Sequence, residues 1–276
     1  MPDFTLPRRL FEPSPLLPDM NTIEFKTLLR MVRGMPASGT HAARLDAFYR
    51  PQAADYDSLR KRMLHGREKL LDLLNLAPGS RVVELGAGTG GMLDLWGPRV
   101  SRFESVDMVD ICPSLLQQAR RRAHGLPNVR VIEADATEYS PPALVDCVYF
   151  SYALTMIPDW LRALTNALNM LKPGGKLGVV DFYVAGEGDA GARATQPALE
   201  RWFWTHWFGH DEVRLSPAHL AALCATTERL QQHESRGSLP WLPWLKVPYY
   251  IFVGTKPARM RADVIARLWK QRAGQR

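Results

Sequence analysis

Val82-Val83-Glu84-Leu85-Gly86-Ala87-Gly88-Thr89-Gly90 is the stretch on which the reading of this chain turns. Apolar residues around a single acid read as a short buried strand, and three glycines at alternate positions then turn the chain sharply. Glycine admits positive φ and lets backbone approach a ligand with no Cβ in the way. In an open α/β sheet, ligands settle at the carboxyl ends of the strands. The pattern lacks the Gly-Lys-Ser/Thr ending of a phosphate-binding P-loop, so a nucleotide triphosphate is not its expected ligand. Leu93 and Leu95 beyond it suggest a helix or an irregular turn.

Working outward, Val106-Asp107-Met108-Val109-Asp110 is a second acid-ended apolar run, followed by Ile111-Cys112-Pro113-Ser114. Val129–Asp135 and Val145–Ser151 are a third and fourth. Segments 115–123 and 159–171, and the region before residue 82, supply alternating helices, with Trp160, Leu164 and Leu168 as one packing stripe. Strands alternating with helices predict a parallel sheet covered on both faces. Lys172-Pro173-Gly174-Gly175 reads as a turn into a fifth strand at 177–181, with a sixth near 228–235 and a seventh near 247–254. Ser216-Pro217 reads as the start of another helix.

This ordered set, over roughly residues 45–255, resembles a class I S-adenosylmethionine-dependent methyltransferase. Tyr56-Asp57-Ser58-Leu59-Arg60, His65-Gly66-Arg67, Ser151–Trp160, Ser235–Trp244 and Lys246-Val247-Pro248-Tyr249-Tyr250 narrow it. Together these resemble the diacylglyceryl-homoserine N-methyltransferase family of bacterial betaine-lipid synthesis. The resemblance implies a seven-stranded Rossmann-like α/β sheet, mostly parallel with an antiparallel last strand. It implies S-adenosyl-L-methionine as cofactor and successive N-methylation of diacylglyceryl-homoserine to the trimethylated betaine lipid. Phosphoethanolamine, a quinone or another small acceptor is the alternative substrate class, and a cofactor-binding, membrane-associated scaffold is the non-enzymatic one.

The resemblance carries roles onto individual residues. Tyr56, Arg60 and His65 belong to a lid, with Tyr56 and Arg60 near the methionyl carboxylate. Glu84, Gly86, Ala87, Gly88 and Gly90 approach the amino-acid part of the cofactor. Asp110, with Ile111 beside it, is favoured for the ribose hydroxyls, since a carboxylate accepts from both; Asp107 competes for that role. Asp135 and Ala136 fit the adenine position, and Ser151 the methyl-transfer mouth. Tyr49, Tyr152, Trp202, His206, Arg236, Tyr249 and Tyr250 are candidates for the acceptor side. No residue is singled out as general base, because an amine that presents its lone pair in line with the methyl–sulfur bond draws much of its acceleration from positioning.

Composition sets the remaining bounds. A chain of 276 residues, 46% hydrophobic, holds one large core with small additions. The expected division is an extension over 1–42 with an amphipathic helix at 21–34, a catalytic domain over 43–255, and a basic tail over 256–276. The catalytic domain includes lid helices at 43–76 and an aromatic insertion at about 182–215. Cys112, Cys147 and Cys224 form neither a disulfide framework nor a zinc cluster, and no metal is expected. Neither a secretory signal nor a membrane-spanning run is visible, which suggests a bacterial cytoplasmic protein, peripheral on the inner face of the membrane. The net charge of +7, with seven cations against one acid in 256–276, suits an anionic membrane surface. No nucleic-acid motif accompanies that charge, and nucleic acid is not an expected partner.

Overall fold

The structure is a computed structural model, and it describes residues 35, 38–52, 62–185, 196–209, 212–239, 244–259 and 262–273. The amphipathic segment at 21–34, the Tyr56 and Arg60 pair, the glycine-rich stretch at 186–195 and Trp241 lie outside the described residues.

Five strands carry the parallel part of the sheet: β1 (Arg81–Leu85), β2 (Ser105–Asp110), β3 (Val129–Glu133), β4 (Val145–Ser151) and β5 (Leu171–Phe182). Strands β6 (Glu228–Ser238) and β7 (Lys246–Thr255) complete a seven-stranded sheet of order β3-β2-β1-β4-β5-β7-β6. β7 enters between β5 and β6 and runs antiparallel to both. The expected mostly parallel sheet with an antiparallel last strand is thus the observed one.

Side-chain alternation decides how the layers form. Val82, Cys147 and Tyr149 face one side of the sheet, while Val83, Val148 and Phe150 face the other. Both sides are buried, which is why these strands read as nearly continuous apolar runs. On the first side pack α2 (Arg67–Leu74), α3 (Gly91–Trp96), α4 (Pro113–Arg122) and α6 (Ala198–Gly209), through Leu70, Trp96, Leu116 and Trp204 among others. On the second pack α5 (Trp160–Met170) and α7 (Pro217–Thr226), through Leu164, Leu168, Leu220 and Leu223. The Ser216 hydroxyl accepts from the Ala218 N–H at 3.2 Å, so α7 begins with the N-cap its sequence announces. A short first helix, α1 (His41–Tyr49), lies against α4, and α8 (Ala262–Ala273) follows the last strand and packs on α7.

Two strand boundaries differ by three residues or more from those expected. Strand β5 starts at Leu171, and Lys172–Gly175 is an excursion within it: pairing with β4 jumps from Val145/Leu171 to Cys147/Lys176. Gly174, at φ +75°, makes the excursion, and backbone bonds of 2.9 Å with Lys256 hold it to the end of β7. Strand β6 runs three residues past its expected end, because Arg236, Gly237 and Ser238 pair with Pro248, Val247 and Lys246.

Candidate functional site

The carboxyl ends of β1, β2 and β4 open into a cavity of about 370 Å³. The three glycines at its floor have separate duties. Gly86 (φ +77°) passes so close to the 153 turn that a Cβ would lie 2.3 Å from the Ala153 Cβ. Gly90 (φ +78°) abuts Met108 and Ala119, where a Cβ would lie 2.6 Å from the Met108 methyl. Gly88 (φ +55°) differs, since a Cβ there would find only the end of Leu115, at 3.9 Å. Gly88 therefore leaves room in the cavity, Gly86 and Gly90 allow close packing, and only the first two line the cavity wall.

Asp110 stands at the rim. Its Oδ2 accepts from the Gly88 N–H and its Oδ1 from the Cys112 N–H, each at 2.8 Å. These bonds fix the carboxylate and leave each oxygen a further lone pair towards the cavity. Burial raises its pKa, and the backbone N–H groups oppose that rise. Asp107 is elsewhere. It is 1% exposed and takes both nitrogens of the Arg130 fork at 2.6 Å, with the Tyr139 hydroxyl also at 2.6 Å. Of the two competing acids, only Asp110 lines the cavity.

Asp135 and Ala136 form another wall, with the Asp135 Oδ1 accepting from the Thr137 N–H at 2.7 Å. Ala87, Ile111 and Ser151 line the cavity as well. Glu84 reaches it from inside β1; burial pushes its pKa up to about 8, against the lowering effect of the Tyr149 hydroxyl, which donates to it at 3.0 Å. Tyr149 accepts in turn from the Trp96 indole at 3.2 Å, so a buried polar chain supports the acid from below.

On the acceptor side the structure brings in two of the seven expected residues. Tyr49 and Tyr152 line the cavity, and Tyr152, at φ +54°, donates its hydroxyl to the His65 carbonyl at 2.6 Å. The other five point elsewhere. The inward Trp204 and Phe208 set the rotation of α6, which turns Trp202 and His206 outward against each other. Arg236 is held by both oxygens of Glu200, at 3.1 and 3.0 Å. Tyr249 stacks on His65, and Tyr250, one residue on, faces the opposite core with no exposure. His65 does not line the cavity; its Nε2 lies 3.0 Å from the Ser238 carbonyl, and it braces β6.

Residues that the sequence reading passed over also contribute. Arg67 lines the cavity beside Glu84, while His65 of the same His65-Gly66-Arg67 motif is turned to the Ser238 carbonyl. His41 and Leu45 join Tyr49 in presenting one face of α1 to the cavity. Two anchors hold α1. Asp46 accepts from the Ser114 N–H at 3.1 Å at the start of α4 and pairs with Arg50, and Arg44 pairs with Glu212 at 2.8 Å. Both anchors join segments far apart in the chain, so no local spacing announces them. Among the described residues no His, Cys, Asp and Glu cluster could hold a metal ion, and no helix is long and apolar enough to cross a membrane.

Comparisons with known proteins agree with this architecture. A methyltransferase-domain family model matches residues 82–175, the segment from β1 to the start of β5. The ubiquinone/menaquinone biosynthesis C-methyltransferase UbiE of Vibrio cholerae is 32% identical over 139 residues, 47% of this chain and 54% of that protein. The chain thus spans about half the length of the curated relatives it matches. Among solved structures, phosphoethanolamine N-methyltransferase 2 of Haemonchus contortus, in complex with S-adenosyl-L-methionine, superposes with a TM-score of 0.60 at 14% identity, over 80% of this chain and 61% of that one. The N-methyltransferase NodS of Bradyrhizobium japonicum, bound to S-adenosyl-L-homocysteine, gives 0.53 at 18% identity, over 69% and 85%. The fold is the class I methyltransferase fold, and the segment from β1 to the start of β5 is similar to a methyltransferase domain.

Proposed function

We propose that the protein uses S-adenosyl-L-methionine to methylate the amine of diacylglyceryl-homoserine in successive steps, ending at the quaternary betaine lipid. The observation that carries methyl transfer is the pairing of Gly88 with Asp110: one leaves room in the cavity, the other offers fixed carboxylate oxygens at its rim. A ribose diol fits those oxygens, and a planar base fits the wall of Asp135 and Ala136. Glu84 and Arg67, at the inner end, present an acid and a cation of the kind that an amino-acid moiety requires. When bound there, the cofactor supplies an electrophilic methyl group on a sulfonium sulfur.

What the chain itself does is orient and enclose. Tyr49 and Tyr152 give the cavity aromatic walls, which suit a cationic amine and its quaternary product. The Tyr152 ring is fixed by its hydroxyl bond to the His65 carbonyl and by Phe182, whose ring centre is 4.5 Å away. Fixed walls hold the acceptor in line with the methyl group, and α1 covers the site against water. The acceptor nitrogen loses its proton to solvent. An acceptor with acyl chains places the protein at the inner surface of the cytoplasmic membrane while it works.

A second reading, methylation of a quinone ring carbon, is favoured by the names of the relatives matched over residues of the same domain. Purified protein with radiolabelled S-adenosylmethionine and a panel of acceptors separates the two. Mono-, di- and trimethylated homoserine lipid in the mass spectrum is the expected result. Efficient methylation of a quinone precursor or phosphoethanolamine, with the homoserine lipid untouched, overturns the proposal.

A further inference from the structure

Helix α6 is apolar on two faces, and only one is covered. Trp204 and Phe208 turn into the core. Leu199, Trp202 and Trp207 turn away from it, with Leu199 75% and Trp202 58% exposed. An amphipathic helix ordinarily keeps its outer face polar. Trp244, just before β7, is also exposed, at 67%.

Topology gathers these side chains at one edge of the sheet. Strand β5 ends at Phe182, paired with Tyr249, and β6 ends at Ser238, paired with Lys246 at the start of antiparallel β7. Trp244 therefore stands at the edge where β1 and β4 also finish, which is the edge where the cavity opens. Ring contacts lead inward from α6: Phe208 lies 4.7 Å from Phe182, and Phe182 lies 4.5 Å from Tyr152, in the cavity wall. Cations share this edge. Lys246 and Arg214 are exposed there, the latter held by a 2.8 Å bond from its N–H to the Thr155 carbonyl.

We infer that this edge docks on an anionic lipid bilayer, with Leu199, Trp202 and Trp244 seated among the headgroups. The rings from Phe208 to Tyr152 then form the apolar side of the acceptor's path to the cavity. The inference deepens the proposed lipid methylation and rests on it for the acceptor's path. Tryptophan combines a large apolar body with a polar N–H, which suits the boundary between headgroups and chains. The exposed Lys246 and Arg214 at the same edge complement an anionic surface.

Vesicle sedimentation without cofactor or acceptor tests the surface independently of the chemistry. Full-length protein is mixed with phosphatidylcholine vesicles with and without phosphatidylglycerol, beside the triple variant Leu199→Gln, Trp202→Gln, Trp244→Gln and the control Trp269→Gln on α8. Circular dichroism checks that the variants are folded. Removing three large apolar side chains from the headgroup layer should lower binding of the triple variant to anionic vesicles about tenfold or more. The control should bind like the wild type, and brominated lipid should quench wild-type tryptophan emission. Undiminished binding by the triple variant overturns the inference, as does wild-type binding indifferent to phosphatidylglycerol. A dimer in light scattering that the triple substitution dissolves, with vesicle binding unchanged, would make the face a contact between copies and also overturn it. If α6-dependent binding holds while only a water-soluble acceptor is methylated, the docking surface stands and the proposed substrate falls.

Discussion

Asp110 and Asp107 lie three residues apart on one strand, and replacing each by asparagine should break two different properties. In the D110N variant a side-chain oxygen can still accept one of the two backbone N–H bonds now made at 2.8 Å. The amide nitrogen then faces the other N–H, and one acceptor for a ribose hydroxyl is lost. A hydrogen bond to a charged group contributes about 1.5–3 kcal/mol. Losing one such bond to the cofactor, with a looser Gly88 loop, should lower cofactor affinity about tenfold to a few hundredfold. Asp107 is instead locked to Arg130 and Tyr139 in a site without exposure to the cavity. Breaking a buried pair costs about 3–5 kcal/mol, and the half-exposed Arg130 brings the expectation for D107N to the lower end of that range. Calorimetric titration with S-adenosylmethionine and urea melts on the same preparations read both quantities. D110N should lose affinity with a modest change in stability, and D107N should lose stability while its folded fraction binds normally. A selective loss of affinity in D107N, with D110N unaffected, would refute the assignment.

Gly88→Ala should weaken cofactor binding while melting within about 1–2 kcal/mol of wild type, because its Cβ enters open space at the expense of a positive φ. Gly86→Ala, facing Ala153, should instead show its effect mainly as lowered stability in the same melts. Glu84 should make stability fall as pH rises from about 4.5 to 8, since the unfolded chain releases a proton there that the folded chain retains. Asp181, its pKa raised by burial to about 7, acts in the same direction. Urea melts across this range should find a shallower slope in Glu84→Gln, by on the order of a few kcal/mol in total; an unchanged slope would show that Glu84 is not the retained proton's site. Glu212→Gln, which loosens the Arg44 anchor of α1, should speed cofactor release several-fold in stopped-flow, as expected for a half-buried pair contributing about 1 kcal/mol.

The sequence by itself determined the sheet, its parallel part and the site's cofactor side. Those features follow from local rules: strand runs between helical segments, and glycines and acids immediately after strand ends. Gly88, Asp110, Asp135 and Ala136 are near the ends of their own strands, so their place in the cavity follows from strand order alone. The roles of Gly86 and Gly90 needed the structure, since only the neighbours Ala153 and Met108 reveal that they serve packing. The choice between Asp107 and Asp110 likewise needed Arg130, a partner from the next strand. The acceptor side was the least legible. Tyr49 reaches the cavity through the docking of α1 on α4, a contact between segments more than sixty residues apart. Trp202 and His206 were turned outward because Trp204 and Phe208 fit the core and a helix has a single rotation to give. Aromatic density in a sequence says that rings will be buried or used. Which face of the helix meets the core is decided by tertiary packing, and it is that packing which left Trp202 and Trp207 of α6 at the surface.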